Sequence, residues 1–138
     1  YLGDSGAYLL AFFVSIILID LSTTLRSSTP YYIANLLWYP VYENLFSIIR
    51  KIKNKKSALK PDNLHLHQLI YLKIKNKLNH NAKIINTFSG IVINIFNLGV
   101  IILATQNYTS TTYQVILLLF SVTVYNLIYI ILQKTLQK

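Results

Sequence analysis

Seven side chains in this 138-residue chain have the type and spacing to do chemistry, and they fall in three short stretches. Asp4 sits in Gly3-Asp4-Ser5-Gly6, just before an apolar run. Flanking glycines let backbone approach a ligand closely, and a carboxylate there could hold Mg²⁺, which prefers oxygen ligands and substrate phosphates. An Asp or Ser in front of an apolar helix is also a common cap. Glu43 lies inside a second apolar run, past Pro40. An ionisable group in such a run is a functional candidate by default, although at a membrane interface it costs little. Arg50 and Lys60 are donors suited to a diphosphate, Arg bidentately; as bases beside an apolar run they equally suit anchoring at the membrane face. Asp62, His65 and His67 complete the set within Pro61-Asp62-Asn63-Leu64-His65-Leu66-His67-Gln68. As a metal site the His pair is weak, because residues i and i+2 of a helix face different ways. It can still meet a phosphate or a nucleotide, or remain two solvated interfacial histidines.

The elements that must position these residues are membrane spans. Hydrophobic residues make up 54% of the chain and charged ones 12%, about half the charged share of an ordinary soluble domain. Four apolar runs stand out, about 7–21, 31–49, 84–105 and 113–132. A bilayer core needs about 20 helical residues, so the first run spans only if its polar ends are drawn in. Spans in lipid must be helical. The sequence therefore predicts an all-α, polytopic transmembrane bundle, residues 1–138 forming one membrane-embedded domain with four spans. Pro40 should kink or break the second. Asn86, Asn94 and Asn97 on the third are expected to bond to other helices, and Asp20 and Arg26 to form an outer loop pair.

Charge gives the topology. Segment 50–83 and the C-terminal tail hold 12 of the 13 Lys and Arg residues, whereas the link 106–112 has no charge. The positive-inside rule then puts Gly3–Gly6, loop 50–83 and the C-terminus in the cytoplasm. The net charge of +9 is better explained by topology and anionic lipid than by nucleic acid. Within the loop, Asp62 or Asn63 is an expected N-cap for an amphipathic helix over Leu64–Leu78 lying near the membrane surface. With no Cys, disulfide and thiolate chemistry are excluded. Tyr at position 1 and the absence of Met lead to the expectation of a piece of a longer chain.

In combination the stretches resemble a known family. Gly3-Asp4-Ser5-Gly6, then Pro40-Val41-Tyr42-Glu43, then Arg50, then Lys60-Pro61-Asp62 with His65 and His67 are similar to the boxes of the polyprenyl-phosphate N-acetylhexosaminyl-1-phosphate transferases. The likeness covers residues 1–70, and is nearer the bacterial branch that starts O-antigen, enterobacterial common antigen or teichoic acid synthesis than the peptidoglycan branch. Gln68 stands where that family often has a third histidine, and Glu43 where Asp is frequent.

The resemblance implies a multi-pass enzyme of the bacterial inner membrane that moves N-acetylhexosamine-1-phosphate from a UDP-sugar to undecaprenyl or another polyprenyl phosphate. It implies Mg²⁺ (or Mn²⁺) held by Asp4, phosphate charge met by Arg50 and Lys60, a loop fixed by Asp62, and a donor diphosphate contacted by His65 and His67. UDP-N-acetylhexosamine and the lipid are the implied partners, without nucleic acid and compatibly with a homodimer. The family's aspartate-rich motif would precede residue 1, so residues 1–138 alone are expected to be inactive. The competing reading is a non-enzymatic polytopic protein such as a transporter segment, which explains spans and base asymmetry equally well. It does not explain why Asp4, Glu43, Asp62 and both histidines fall at the family's positions.

Overall fold

A computed structural model describes residues 3–55, 64–77 and 81–136. Among them every regular element is a helix, as the apolar runs require: α1 (Gly3–Thr24), α2 (Pro30–Leu36), α3 (Trp38–Lys53), α4 (Leu66–Lys77), α5 (Ala82–Gln106) and α6 (Thr111–Leu136).

Three of these helices, not four, are continuous and apolar enough to cross a bilayer: α1, α5 and α6. The helix α1 reaches 22 residues because polar residues at both ends join it. Its hydroxyls bond back into the helix, Ser15 Oγ donating to the Ala11 carbonyl at 2.8 Å and Ser22 Oγ to the Ile19 carbonyl at 2.8 Å, which hides them from an apolar environment. No residue of α1 is buried; its C-terminal end meets the core through Leu21 and Leu25.

The expected second span is instead two helices broken at Leu37 (φ −104°, ψ 5°). Pro40 is the physical reason. Its nitrogen carries no proton for the Leu36 carbonyl, so a continuous helix would lose that bond and crowd the ring against the preceding turn. Restarting at Trp38 puts Pro40 in the first turn of α3, where no intrahelical N–H is needed. Neither piece alone has the length of a span.

The broken helix nonetheless runs beside α6 in the same direction, α2 closely and α3 through long side chains. The Thr29 N–H donates to the Tyr108 carbonyl (3.0 Å), Asn35 Nδ2 to the Gln114 carbonyl and Oε1 (2.9 and 2.7 Å), Tyr125 Oη to Glu43 (2.8 Å), and Arg50 Nη1 to Tyr129 Oη (2.6 Å). Gln114 also donates from Nε2 to the Ala104 carbonyl of α5 at 2.7 Å, so one buried amide ties three helices. These residues and Asn126, which donates to Tyr42 Oη at 2.7 Å, supply the interhelical amide bonds expected of Asn86, Asn94 and Asn97. Asn97 instead has a buried Oδ1 with no partner, and Asp20 and Arg26 form no ion pair among the described residues.

Between α3 and α6 the core is aromatic. The Tyr125 ring meets Tyr42 edge-on (5.0 Å, 85°) and Phe46 (5.4 Å, 71°), and Phe46 meets Tyr129 (4.7 Å, 69°). Each such pair adds about 1 kcal/mol beyond burial. The amphipathic helix is present but shorter than Leu64–Leu78, and its apolar side is taken up by the bundle: Leu66 and Leu69 are buried in the core, with α4 packed on α5 and α6.

Candidate functional site

Along α3 the residues Glu43, Ser47 and Arg50 recur at intervals of four and three, so they share one face. Glu43 and Ser47 are buried, while Val41, Leu45, Ile48, Ile49 and Ile52 of the opposite side are exposed. That buried polar face of an otherwise apolar bundle is where the segment carrying the histidines attaches.

Glu43 is the anchor. Its Oε1 accepts from His65 Nδ1 at 3.0 Å and from the Leu66 backbone N–H at 3.1 Å, and its Oε2 accepts from Tyr125 Oη at 2.8 Å. Because α4 begins at Leu66, the carboxylate caps that helix from another part of the chain, against the positive end of its dipole. Arg50 holds the residue just before: Nη1 donates to the Leu64 carbonyl at 2.7 Å as well as to Tyr129. The guanidinium carbon lies 5.7 Å from the Phe46 ring centre and 5.4 Å from that of Tyr129. Two α3 side chains two helical turns apart thus clamp residues 64–66.

The clamp explains a geometry that helical spacing does not give. His65 is the cap position rather than a helical residue, so the rule that separates i and i+2 does not apply. The rings of His65 and His67 stack, with centres 5.8 Å apart and planes at 13°. Gln68, which replaces a family histidine, accepts from the His65 N–H at 3.1 Å, as the third residue of a capping box does. A carboxylate beside Nδ1 makes that nitrogen the donor and fixes the ring's orientation. Desolvation and then the neighbouring His65 hold the His67 imidazole below the usual histidine range, with Glu43 acting in the opposite direction.

The residues expected to form the site are placed unequally. Arg50, His65 and His67 come together around Glu43. Lys60 and Asp62 lie outside the described residues, as does Asn63, the alternative cap for a helix that starts only at Leu66. Asp4 is exposed in the first turn of α1, where its charge suits the helix dipole. Among the described residues no group of three His, Asp or Glu side chains could hold a metal. Asp4 supplies a single carboxylate, and the described residues by themselves complete no such group around it.

Sequence reasoning weighed Glu43 without making it the anchor, and missed Tyr125 and Tyr129. A signal was available for these. The buried positions of α6 are Gln114, Leu117, Ser121, Tyr125, Tyr129 and Leu132, three or four residues apart, and polar or small residues in an apolar span mark the face turned to other helices.

No family model matches this chain, and neither does a curated protein or a solved structure.

Proposed function

We propose that the protein transfers N-acetylhexosamine-1-phosphate from a UDP-sugar to polyprenyl phosphate, at the basic end of a helical membrane bundle. One observation carries the reading: Glu43 and Arg50 from one stretch of the family-like pattern meet residues 64–66, with His65, from the next. Chance likeness between short motifs gives no reason for their members to touch.

In this account an oxygen of the lipid phosphate attacks the β-phosphorus of the donor. The new P–O bond forms as the bond from that phosphorus to the bridging oxygen breaks, and UMP leaves. Such transfer needs mainly positioning and charge neutralisation. His65, held by Glu43, and His67, stacked on it, contact the donor diphosphate. Arg50 and Lys60 offset phosphate charge, Arg50 also fixing the backbone at Leu64, and Asp62 fixes the loop. No step is assigned to Mg²⁺, because the described residues hold no group of three metal donors. A lipid chain finds an apolar groove of about 330 Å³ beside the helix break, lined by Leu37, Val41, Leu45, Leu118 and Val122 among others.

The same account has four crossings, since α2–α3 accompanies α6 from Thr29 to Arg50, and it places the basic end in the cytoplasm of a bacterium's inner membrane. The chain has no Cys, so single cysteines report cleanly. Those replacing Ser27 and Lys55 should label from opposite sides of the membrane, and one replacing Lys134 from the same side as Lys55. The same side for Ser27 and Lys55 would leave α2–α3 outside the membrane.

The histidines test the reaction itself. The His65→Ala/His67→Ala double variant should lower kcat/KM for the UDP-sugar by roughly a hundredfold or more, as loss of aligned transition-state contacts does, with unchanged amounts of protein in the membrane. Transfer within roughly twofold of wild type, too small for such a lost contact, would return the pair to solvated interfacial residues and favour a non-enzymatic protein.

A further inference from the structure

Lys83 lines two neighbouring cavities, one richer in polar groups than the other. On one side, a cleft of about 400 Å³ between α4 and the start of α5 is lined by His67, Gln68, Tyr71, Ala82, Lys83 and Asn86. Among the described residues its lining has a cation, two amides, a phenol and an imidazole, and no carboxylate. A second cation is close, as Lys75 Nζ lies 5.9 Å from the centre of the Tyr71 ring. On the other side, a groove of about 310 Å³ runs along α5 from Lys83 past Ile84, Thr87, Phe88 and Ile91. Ile84, Phe88 and Ile91 are exposed on a helix long and apolar enough to cross a bilayer. A cleft carrying a cation and several hydrogen-bonding groups, opening at one lysine onto an apolar furrow, complements the shape and charge of an anionic amphiphile.

We propose that the cleft and groove together bind one anionic phospholipid of the membrane. Its phosphate lies against Lys83, Asn86 and Tyr71, and an acyl chain lies along Ile84, Phe88 and Ile91. A lysine at the membrane face attracts anionic headgroups, and the groove adds apolar contact that a free phosphate cannot make. The site shares only His67 with the proposed donor site and is separate from the groove beside the helix break.

Native mass spectrometry of the detergent-purified protein, titrated with phosphatidylglycerol, phosphatidylcholine or inorganic phosphate, tests this. Phosphatidylglycerol should bind with one molecule saturating first, and phosphatidylcholine more weakly. Lys83→Glu should weaken phosphatidylglycerol by about fivefold or more, with Lys83→Gln intermediate. Phe88→Ala should weaken it too, whereas Lys134→Glu, at an exposed base outside both cavities, should not. The charge-neutral Lys83→Gln covers the case in which charge reversal disturbs folding. Equal losses in Lys134→Glu and Lys83→Glu would mean diffuse attraction to a basic surface and overturn the site. Displacement of the lipid by an equal concentration of inorganic phosphate, or an unchanged affinity in Phe88→Ala, would show that the groove holds no chain and overturn it as a lipid site.

Discussion

Glu43→Ala should destabilise the bundle by about 3 kcal/mol, since three donors lose their acceptor at about 1 kcal/mol each. These are His65 Nδ1, the Leu66 N–H and Tyr125 Oη. The Leu66 N–H and Tyr125 Oη belong to buried residues, so water is poorly placed to replace the carboxylate. The loss should be uneven. With its cap removed, α4 should fray from its N-terminus, and amide exchange at Leu66 to Leu69 should rise more than at Leu117 to Ser121 of α6. Glu43→Gln should fall between wild type and Glu43→Ala, because its amide oxygen still accepts while its NH₂ must face one of the donors. Thermal unfolding in detergent with hydrogen exchange checks both. Equal stability of Glu43→Ala and wild type would show that the histidine segment is held by something other than the carboxylate.

Arg50→Lys should cost activity far more than its conserved charge suggests. The guanidinium is used for its shape: one nitrogen bridges the Leu64 carbonyl and Tyr129, and its carbon lies near two aromatic rings. A lysine ammonium has neither the planar fork nor the same stacking. Residues 64–66 would shift, and a misplacement of about 1 Å can lower a rate by roughly a hundredfold. We expect transfer in Arg50→Lys to drop by about that factor, mainly in kcat, with Arg50→Ala lower still. If Arg50→Lys keeps near-normal kcat, the role of Arg50 is its charge alone, and the positioning role assigned to it fails.

Much of the architecture is legible in the sequence. Long apolar runs have one solution in lipid, and α1, α5 and α6 follow from them. Pro40 announces a break, because a missing N–H is a local fact. What the sequence conceals is pairing. That α2–α3 travels with α6 depends on Asn35 reaching Gln114 and on Glu43 reaching Tyr125, contacts across about eighty residues that no local pattern encodes. The start of α4 is hidden for the same reason. Its cap is Glu43, supplied from α3, so a search for a nearby Asp or Asn favours Asp62 or Asn63 and draws the helix too long. Once the start moves to Leu66, the two histidines fall at the helix entrance and their rings can stack. Arg50, His65 and His67 were recognisable by residue type; the carboxylate that organises them was recognisable only as an acid in an unexpected place.

The central claim is a particular bond cleavage, and the nucleotide product reports it. Membranes containing the full-length protein, given undecaprenyl phosphate and a UDP-N-acetylhexosamine labelled in both uridine and sugar, should release labelled UMP and gain labelled sugar in the organic phase in equal amounts. Membranes with the His65→Ala/His67→Ala variant should do neither above background. Release of UDP in place of UMP would mean transfer of the sugar without its phosphate, and no nucleotide release at all would mean that the cluster around Glu43 holds a membrane protein together without catalysing this reaction.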